Sequence, residues 1–345
     1  MGYTENAVGP TRGRTEDLAS QIIDIRQFGA RQFRPLLQAE SQAWLEGLHW
    51  DYAPSAELIS AYLNAKRLSG FALLEDGRLT GYCLYFCEGP KGMIGDLFVV
   101  GHHACANTVA PLLERTIDTL TSMPDVRRIE AQLPHLNIEQ ISPYFHARSF
   151  QIYTRQFMAF HFTDGMERLE LATGPADPAA KTPLSSGDFQ FEPWERRYDR
   201  EAAQLLHHAY QNHIDAAIND QYCTMAGSRR LIESIVRQRG CGDYLDYAST
   251  VAIHRSTGRL AGILGLTAVR PGTAHIPQIA VATAFQGLGL GTAMLQSSFH
   301  KLNREGFLEV SLTVTSLNSR AVRLYERMGF RTFREFGAFV LDCPS

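Results

Sequence analysis

With 345 residues, 45% hydrophobic and 20% charged, the chain has room for two domains that each bury a core, in an ordinary globular composition. A net charge of −3 gives no electrostatic reason to expect nucleic acid, and no apolar run approaches the length needed to cross a bilayer, so no membrane partner is expected. Six cysteines, Cys83, Cys87, Cys105, Cys223, Cys241 and Cys343, lack paired metal-ligand spacing. No metal is expected, and a cytoplasmic location with reduced thiols is the economical reading.

In chain order, "MGYTENAVGPTRGRTEDLAS" reads as a loose polar lead-in, without the apolar stretch of a secretory signal or the Ser/Thr of a myristoylation site. "FALLEDGRLTGYCLYF" (71–86) reads as two strands around a turn at Gly77, and "VAIHRSTGRLAGILG" (251–265) as the same pair around Gly258. The two turns lie about 180 positions apart, as do "PYFHARSFQIYTRQFMAFHF" from Pro143 and "RLYERMGFRTFREFGAFVLD" from Arg323. One unit is therefore written twice. The stretch 163–188 is rich in Pro, Ala, Gly and Ser and reads as a connection. The expected organisation is a first domain over 20–165, a linker over 166–186 and a second domain over 187–345.

The second copy reads as a strand at "FQFEPW", helices across 198–238, the hairpin and a strand over 274–281. "FQGLGLGT" (285–292) follows, then a helix through Leu295, Phe299 and Leu302 and a strand over 307–314. A helix through Ala321, Leu324 and Met328, ended by Gly329, and a closing strand pair complete it. This ordering predicts an α/β or α+β fold around a central mixed sheet.

Glycine at 287, 289 and 291, between a strand and a helix, leaves backbone amides bare at the positive end of a helix dipole, which suits a phosphate. A tight turn is the plain structural alternative. A P-loop would need Lys and Ser/Thr after the last glycine, where Thr292 and Ala293 stand; a Rossmann fingerprint would want Gly or Ala at Met294.

The run Gln286-Gly287-Leu288-Gly289-Leu290-Gly291 resembles the Gln/Arg-x-x-Gly-x-Gly/Ala pyrophosphate loop of the GNAT superfamily of acyl-CoA-dependent N-acyltransferases. "VTSLNSRAVRLYERMGF" (314–330) resembles that family's second signature. The likeness covers 187–345 well and 20–162 in outline. It implies two tandem GNAT-like domains, each a mixed sheet splayed after its fourth strand and flanked by helices, and acetyl-CoA as cofactor, with coenzyme A as product. It further implies an N-acetyltransferase acting by direct attack of a primary amine, on a small molecule or a peptide.

Carried over, the amides of Leu288 to Thr292 would bind the pyrophosphate and the backbone of Ile279, Ala280 and Val281 the pantetheine arm. Asn318 would hydrogen-bond the cofactor, and Tyr325 would protonate the departing thiolate. Asn318 also reads as a helix N-cap and Tyr325 as core. His275, with Gln278 the polar offering of the fourth strand, is the expected base; a structurally paired histidine is the alternative. Pro277 between them suggests a bulge. For the acceptor, His213, Asp215, Asn219 and Tyr222 are candidate contacts, and Arg229 and Arg230 could attract a carboxylate; each also reads as a solvated helix face.

In the first copy, Cys105-Ala106-Asn107-Thr108-Val109-Ala110 stands where Gln286 to Gly291 stand, and Phe145 where Tyr325 stands. That copy is expected to be degenerate, keeping the fold without the cofactor site. A non-catalytic acyl-CoA sensor or partner-binding protein on the same fold, and a mycothiol synthase-like acetyltransferase, are the alternative functions.

Overall fold

Two runs of elements follow one another in the same order. The structure, a computed structural model, describes residues 20–101, 106–171, 187–238 and 241–343. The polar lead-in, Cys105 and most of the expected linker (172–186) lie outside them. The first run is β1 (Gln21–Asp24), α1 (Ala30–Leu48), α2 (Ala53–Asn64), β2 (Ser69–Glu75), β3 (Arg78–Glu88), β4 (Lys91–Val99), α3 (Ala106–Thr121), β5 (Arg128–Leu133), α4 (Ile138–His146) and β6 (Gln151–His161). After α5 (Phe162–Leu171), the second run is β7 (Phe189–Pro193), α6 (Asp199–Ala209), α7 (Ile214–Ile218), α8 (Met225–Arg237), β8 (Asp243–Tyr244), β9 (Thr250–His254), β10 (Leu260–Arg270), β11 (Thr273–Val281), α9 (Leu290–Arg304), β12 (Glu309–Thr315), α10 (Ser319–Met328) and β13 (Arg331–Asp342).

All the strands join one mixed sheet, ordered β1-β2-β3-β4-β5-β13-β6-β12-β11-β10-β9-β7, with β8 on β10. Helices cover both faces. In the first half α3 and α4 close one apolar core through Leu112, Ile117 and Phe145, while α1 and α2 close another through Phe33, Leu37 and Leu63. In the second half α9 and α10 pack over β10–β12 through Met294, Phe299 and Met328, and α6 and α8 cover the other face with Leu206 and Ile232. An amphipathic helix on each face of a half-apolar sheet is the α/β arrangement expected from the chain order.

The centre of the sheet departs from the expectation that the second copy closes on its own strand pair. Residues 331–342 form one strand, with a register slip between Thr332 and Arg334. Gly337 makes no turn there. A Cβ at Gly337 would strike the Phe339 ring at 2.2 Å, so the glycine makes room for that ring, which stacks on Phe145 at 3.8 Å. β13 pairs with β5 of the first half, and β6 of the first half pairs with both β13 and β12. Each half thus lends its last strand to the other, and neither edge is left open at the junction. Residues 166–171, placed in the linker by composition, are helical, and α5 packs on α9 and α10.

Candidate active site

β11 and β12 run parallel and pair only from Thr273 opposite Glu309 to Ile276 opposite Leu312. The next residue, Pro277, has no amide hydrogen, and opposite it the β10 register slips between Gly265 and Thr267. Beyond this point β11 stays with β10 while β12 stays with β6 through Thr315. The sheet opens there into a wedge. The Ile279 carbonyl on its edge accepts the Tyr210 hydroxyl at 3.4 Å and the Gln278 amide at 3.2 Å, and the Val281 carbonyl accepts the Gln286 amide at 3.0 Å.

The glycine loop lies at the mouth of the wedge. Gly287 and Gly289 have φ of +82° and +88°, a region that costs residues with a Cβ strain, and Gly289 caps α9. The first backbone bond of that helix runs from the Ala293 amide to the Gly289 carbonyl, at 3.0 Å. Among the described residues the amides of Leu290, Gly291 and Thr292 meet no backbone acceptor, as helix geometry requires of a first turn. Gly291 needs no special φ, and a Cβ there would touch Val281 at an ordinary 3.7 Å. A side chain at Gly287 would come within 2.8 Å of the Arg320 guanidinium. Unpaired amides, a helix N-terminus and an arginine over one bare loop form a cradle for a phosphate group.

Two adjoining cavities share Ile279, Ala280, Val281, His213, Asn318 and Tyr325 as walls. One, about 330 Å³, runs along the glycine loop to Arg320. The other, about 180 Å³, lies toward α6 and α7 and is lined by Tyr210, Asp215, Tyr222, Gln278 and Arg155. Tyr210 and Tyr222 stack at 4.1 Å; the Tyr222 hydroxyl donates to the Gln278 side-chain carbonyl at 2.9 Å, and the Gln278 amide donates to Tyr210 at 2.8 Å. Burial, with the Asp215 charge nearby, holds the Tyr325 phenol well above its usual pKa, so it is protonated at neutral pH. Burial does the same for Tyr210 and Tyr222.

Asn318 caps α10, its side-chain oxygen accepting the Ala321 amide at 3.2 Å, and its nitrogen lies 3.3 Å from Nε2 of His213. His213 caps α7, its Nδ1 accepting the Asp215 amide at 3.2 Å. Asp215 in turn accepts the Thr315 hydroxyl. Arg155 arrives from β6 of the first half. It donates to Gln132 at 2.8 Å and to Thr313 at 3.1 Å, its buried Nε has no partner, and no carboxylate among the described residues pairs with it.

The structure thus gathers Tyr325, Asn318, Ile279 to Val281, Gln286, Gly287, Gly289 to Thr292, His213, Asp215 and Tyr222 around one wedge. Five predicted residues stand apart from it. Leu288 belongs to the loop but lines neither cavity. Asn219 is spent as a cap, accepting the Gln221 amide at 3.0 Å. Arg229 and Arg230 are exposed, Arg230 paired with Glu88 at 2.7 Å. His275 is buried in a different cleft, hydrogen-bonded to Ser311 at 2.9 Å and packed against Trp50 and Phe157. Burial, assisted by Arg155, pushes its pKa down to about 3.

Sequence reasoning missed Tyr210, Arg155 and Arg320. A basic residue in the first turn of a helix opposes the dipole unless an anion faces it, and that signal was available at Arg320, two residues after the Asn318 cap. Arg155 carried no such signal, since only the strand exchange brings it here.

The sequence profile of the acetyltransferase (GNAT) family matches residues 216–330. The matched segment of the second half is GNAT-like in sequence. An N-alpha-acetyltransferase of Sulfurisphaera tokodaii is 36% identical over 72 residues, a stretch that is 20% of this chain and 41% of that protein. Among solved structures, a GCN5-related N-acetyltransferase from Sphaerobacter thermophilus superposes with a TM-score of 0.60 at 16% identity, covering 96% of this chain and 97% of its own. A tandem GNAT protein from the clavulanic acid biosynthesis pathway gives 0.57 at 14% identity, with 95% and 99% covered. These likenesses extend the GNAT fold over both halves. The wedge and glycine loop lie within the profile match, and Arg155 lies outside it.

Proposed function

We propose that the chain is an acetyl-CoA-dependent N-acetyltransferase with one working site, in the GNAT domain of the second half, and that its acceptor is a primary amine carrying a carboxylate. The observation that carries this reading is the register of the wedge with the loop: β11 parts from β12 four residues before Val281, and the opening leads to the bare N-terminus of α9. An acyl-CoA supplies an activated thioester to such a wedge. The loop amides and Arg320 would hold its diphosphate, and the free edge of β11 would pair with its amide groups as an added strand does.

Tyr325, neutral and donor-competent at the junction of the two cavities, would give its proton to the leaving sulfur. Backbone amides of β11 would steady the charge that develops on the carbonyl oxygen. His213 and Asp215, which line the smaller cavity beside Asn318, would take the proton that the amine loses. Arg155 would orient the acceptor by its carboxylate and keep its amine end toward Tyr325. The free thiol released from acetyl-CoA, measured across amines with and without a carboxylate, tests the reading. Turnover of carboxylate-bearing amines is expected. An absence of turnover together with an absence of coenzyme A binding would overturn it.

A further inference from the structure

The first half has a wedge of its own. β4 and β5 pair from Lys91 opposite Arg128 to Ile94 opposite Ala131 and then part, as β11 and β12 do. A cavity of about 360 Å³ opens there, bounded by Gly95 to Leu97 on one strand and Gln132 and Leu133 on the other. It occupies the place that the smaller cavity holds in the second half, and its walls are aromatic. Trp44 of α1 stacks on Tyr52 at 4.9 Å and meets Trp50 edge-on at 6.1 Å, and His135 stands against Trp44 at 4.4 Å.

Acidic groups underlie these rings. Asp96 lines the cavity and accepts the Tyr52 hydroxyl; the Tyr82 hydroxyl donates to Glu40 and lies 3.2 Å from Asp96, and Glu40, fully buried, also accepts the Trp44 indole N–H at 3.4 Å. No cation among the described residues pairs with either carboxylate. Two arginines bond residues that line the cleft and neither bonds a carboxylate among the described residues: Arg334 donates to the carbonyls of Pro134 and His135 at 2.6 Å, and Arg155 to Gln132 and Thr313. Burial raises both carboxyl pKa values, and the Asp96 charge adds to the rise at Glu40, so a cation entering the cleft would favour the ionised form. His135 is held neutral, its pKa pushed down to about 4 by burial, and its buried Nε2 has no partner.

We propose that this cleft is a binding site for a small alkylammonium ion, held between the tryptophan walls and the Asp96 carboxylate. A buried negative charge without a counter-cation, beside indole and phenol rings, is the setting in which an organic cation gains both ion pairing and cation–π attraction. Among the described residues no glycine loop backs the cleft, and no chemistry on the ligand is proposed. The site stands independently of the proposed acetyl transfer.

The test uses the full chain, with butylammonium and tetramethylammonium chloride as probes and 1-butanol and sodium chloride as controls. Trp44 and Trp50 line the cleft, whereas Trp194 is buried in the second half, so intrinsic fluorescence reports occupancy and calorimetry gives the affinity. A saturable change with the ammonium ions, at least about tenfold tighter than with butanol, is expected. Preference for butylammonium would mark an N–H bond to Asp96, and preference for tetramethylammonium would mark the rings as the main contact; both support the site. Asp96→Asn should weaken binding by about tenfold or more. Half-buried Trp50→Leu, a milder change to the fold, should weaken it too, and serves if Asp96→Asn melts early. Equal affinity for butanol, no saturation, or unchanged affinity in a folded Asp96→Asn would each overturn the proposal.

Discussion

The two halves open the same wedge at the same place and fill it differently. In the second half it leads to Gly289 and a helix whose first amides are bare; in the first, α3 starts at Ala106 and turns Val109 and Ala110 into the core. Tyr325, with its hydroxyl beside two cavities, corresponds to Phe145, which has no hydroxyl and lies fully buried on Phe339. A sheet that splays supplies a cleft wherever it is built. The proposed cofactor chemistry needs in addition a bare loop and a proton donor, and among the described residues the second half alone sets a bare loop and a phenol at its cleft.

The largest test of that difference is at the loop. Gly289→Val places a β-branched residue at φ +88° and crowds the first amides of α9, and should weaken coenzyme A binding by about a hundredfold or more, read by calorimetry. Ala110→Gly in the first half should leave binding unchanged. Tyr325→Phe comes next. It should lower kcat about a hundredfold with coenzyme A affinity kept, and Phe145→Tyr in that background should restore nothing, since position 145 faces core. A Tyr325→Phe enzyme of undiminished kcat would end the proposed role of the tyrosine.

Much of this was legible in the sequence because it is local. Gly287 and Gly289 announce their backbone, Gly329 ends α10 at φ +102°, and the alternation over 307–314 puts Val310, Leu312 and Val314 into one apolar core. What was not legible depends on distant pairing. Nothing in "RQFMAFHF" says that β6 will sit beside β12 and carry Arg155 into the other half's cleft. Nor does the strand alone give His275 its side of the sheet, because the slip beside Pro277 resets which side chains face the wedge.

His275 sharpens the comparison from the other side, since it lines the first half's cleft. Its folded pKa, about 3, lies below the ordinary histidine value, so between the two the unfolded chain binds a proton that the folded one refuses. Stability therefore falls as pH drops below about 6.5, by about 2 kcal/mol at about pH 5 for this residue alone. Urea unfolding of His275→Gln should show a smaller loss than the parent protein between about pH 7 and pH 5. His135, also held neutral, retains its own share of the acid sensitivity. Acetyl transfer by His275→Gln should remain at the parental level; a collapse of kcat with the fold intact would bring His275 back as the base.

Arg155 has the smallest expected effect, and it alone asks whether the first half takes part in the second half's reaction. Its guanidinium is held by Gln132 of β5 and Thr313 of β12, one residue from each half, so its position records the strand exchange itself. Arg155→Gln keeps hydrogen-bonding capacity and removes the charge. For a carboxylate-bearing amine, KM should rise about tenfold with kcat little changed, the pattern of lost uniform binding. An uncharged amine of similar size should show no rise, and that contrast separates recognition of the acceptor from a loosened sheet, which would impair both substrates alike.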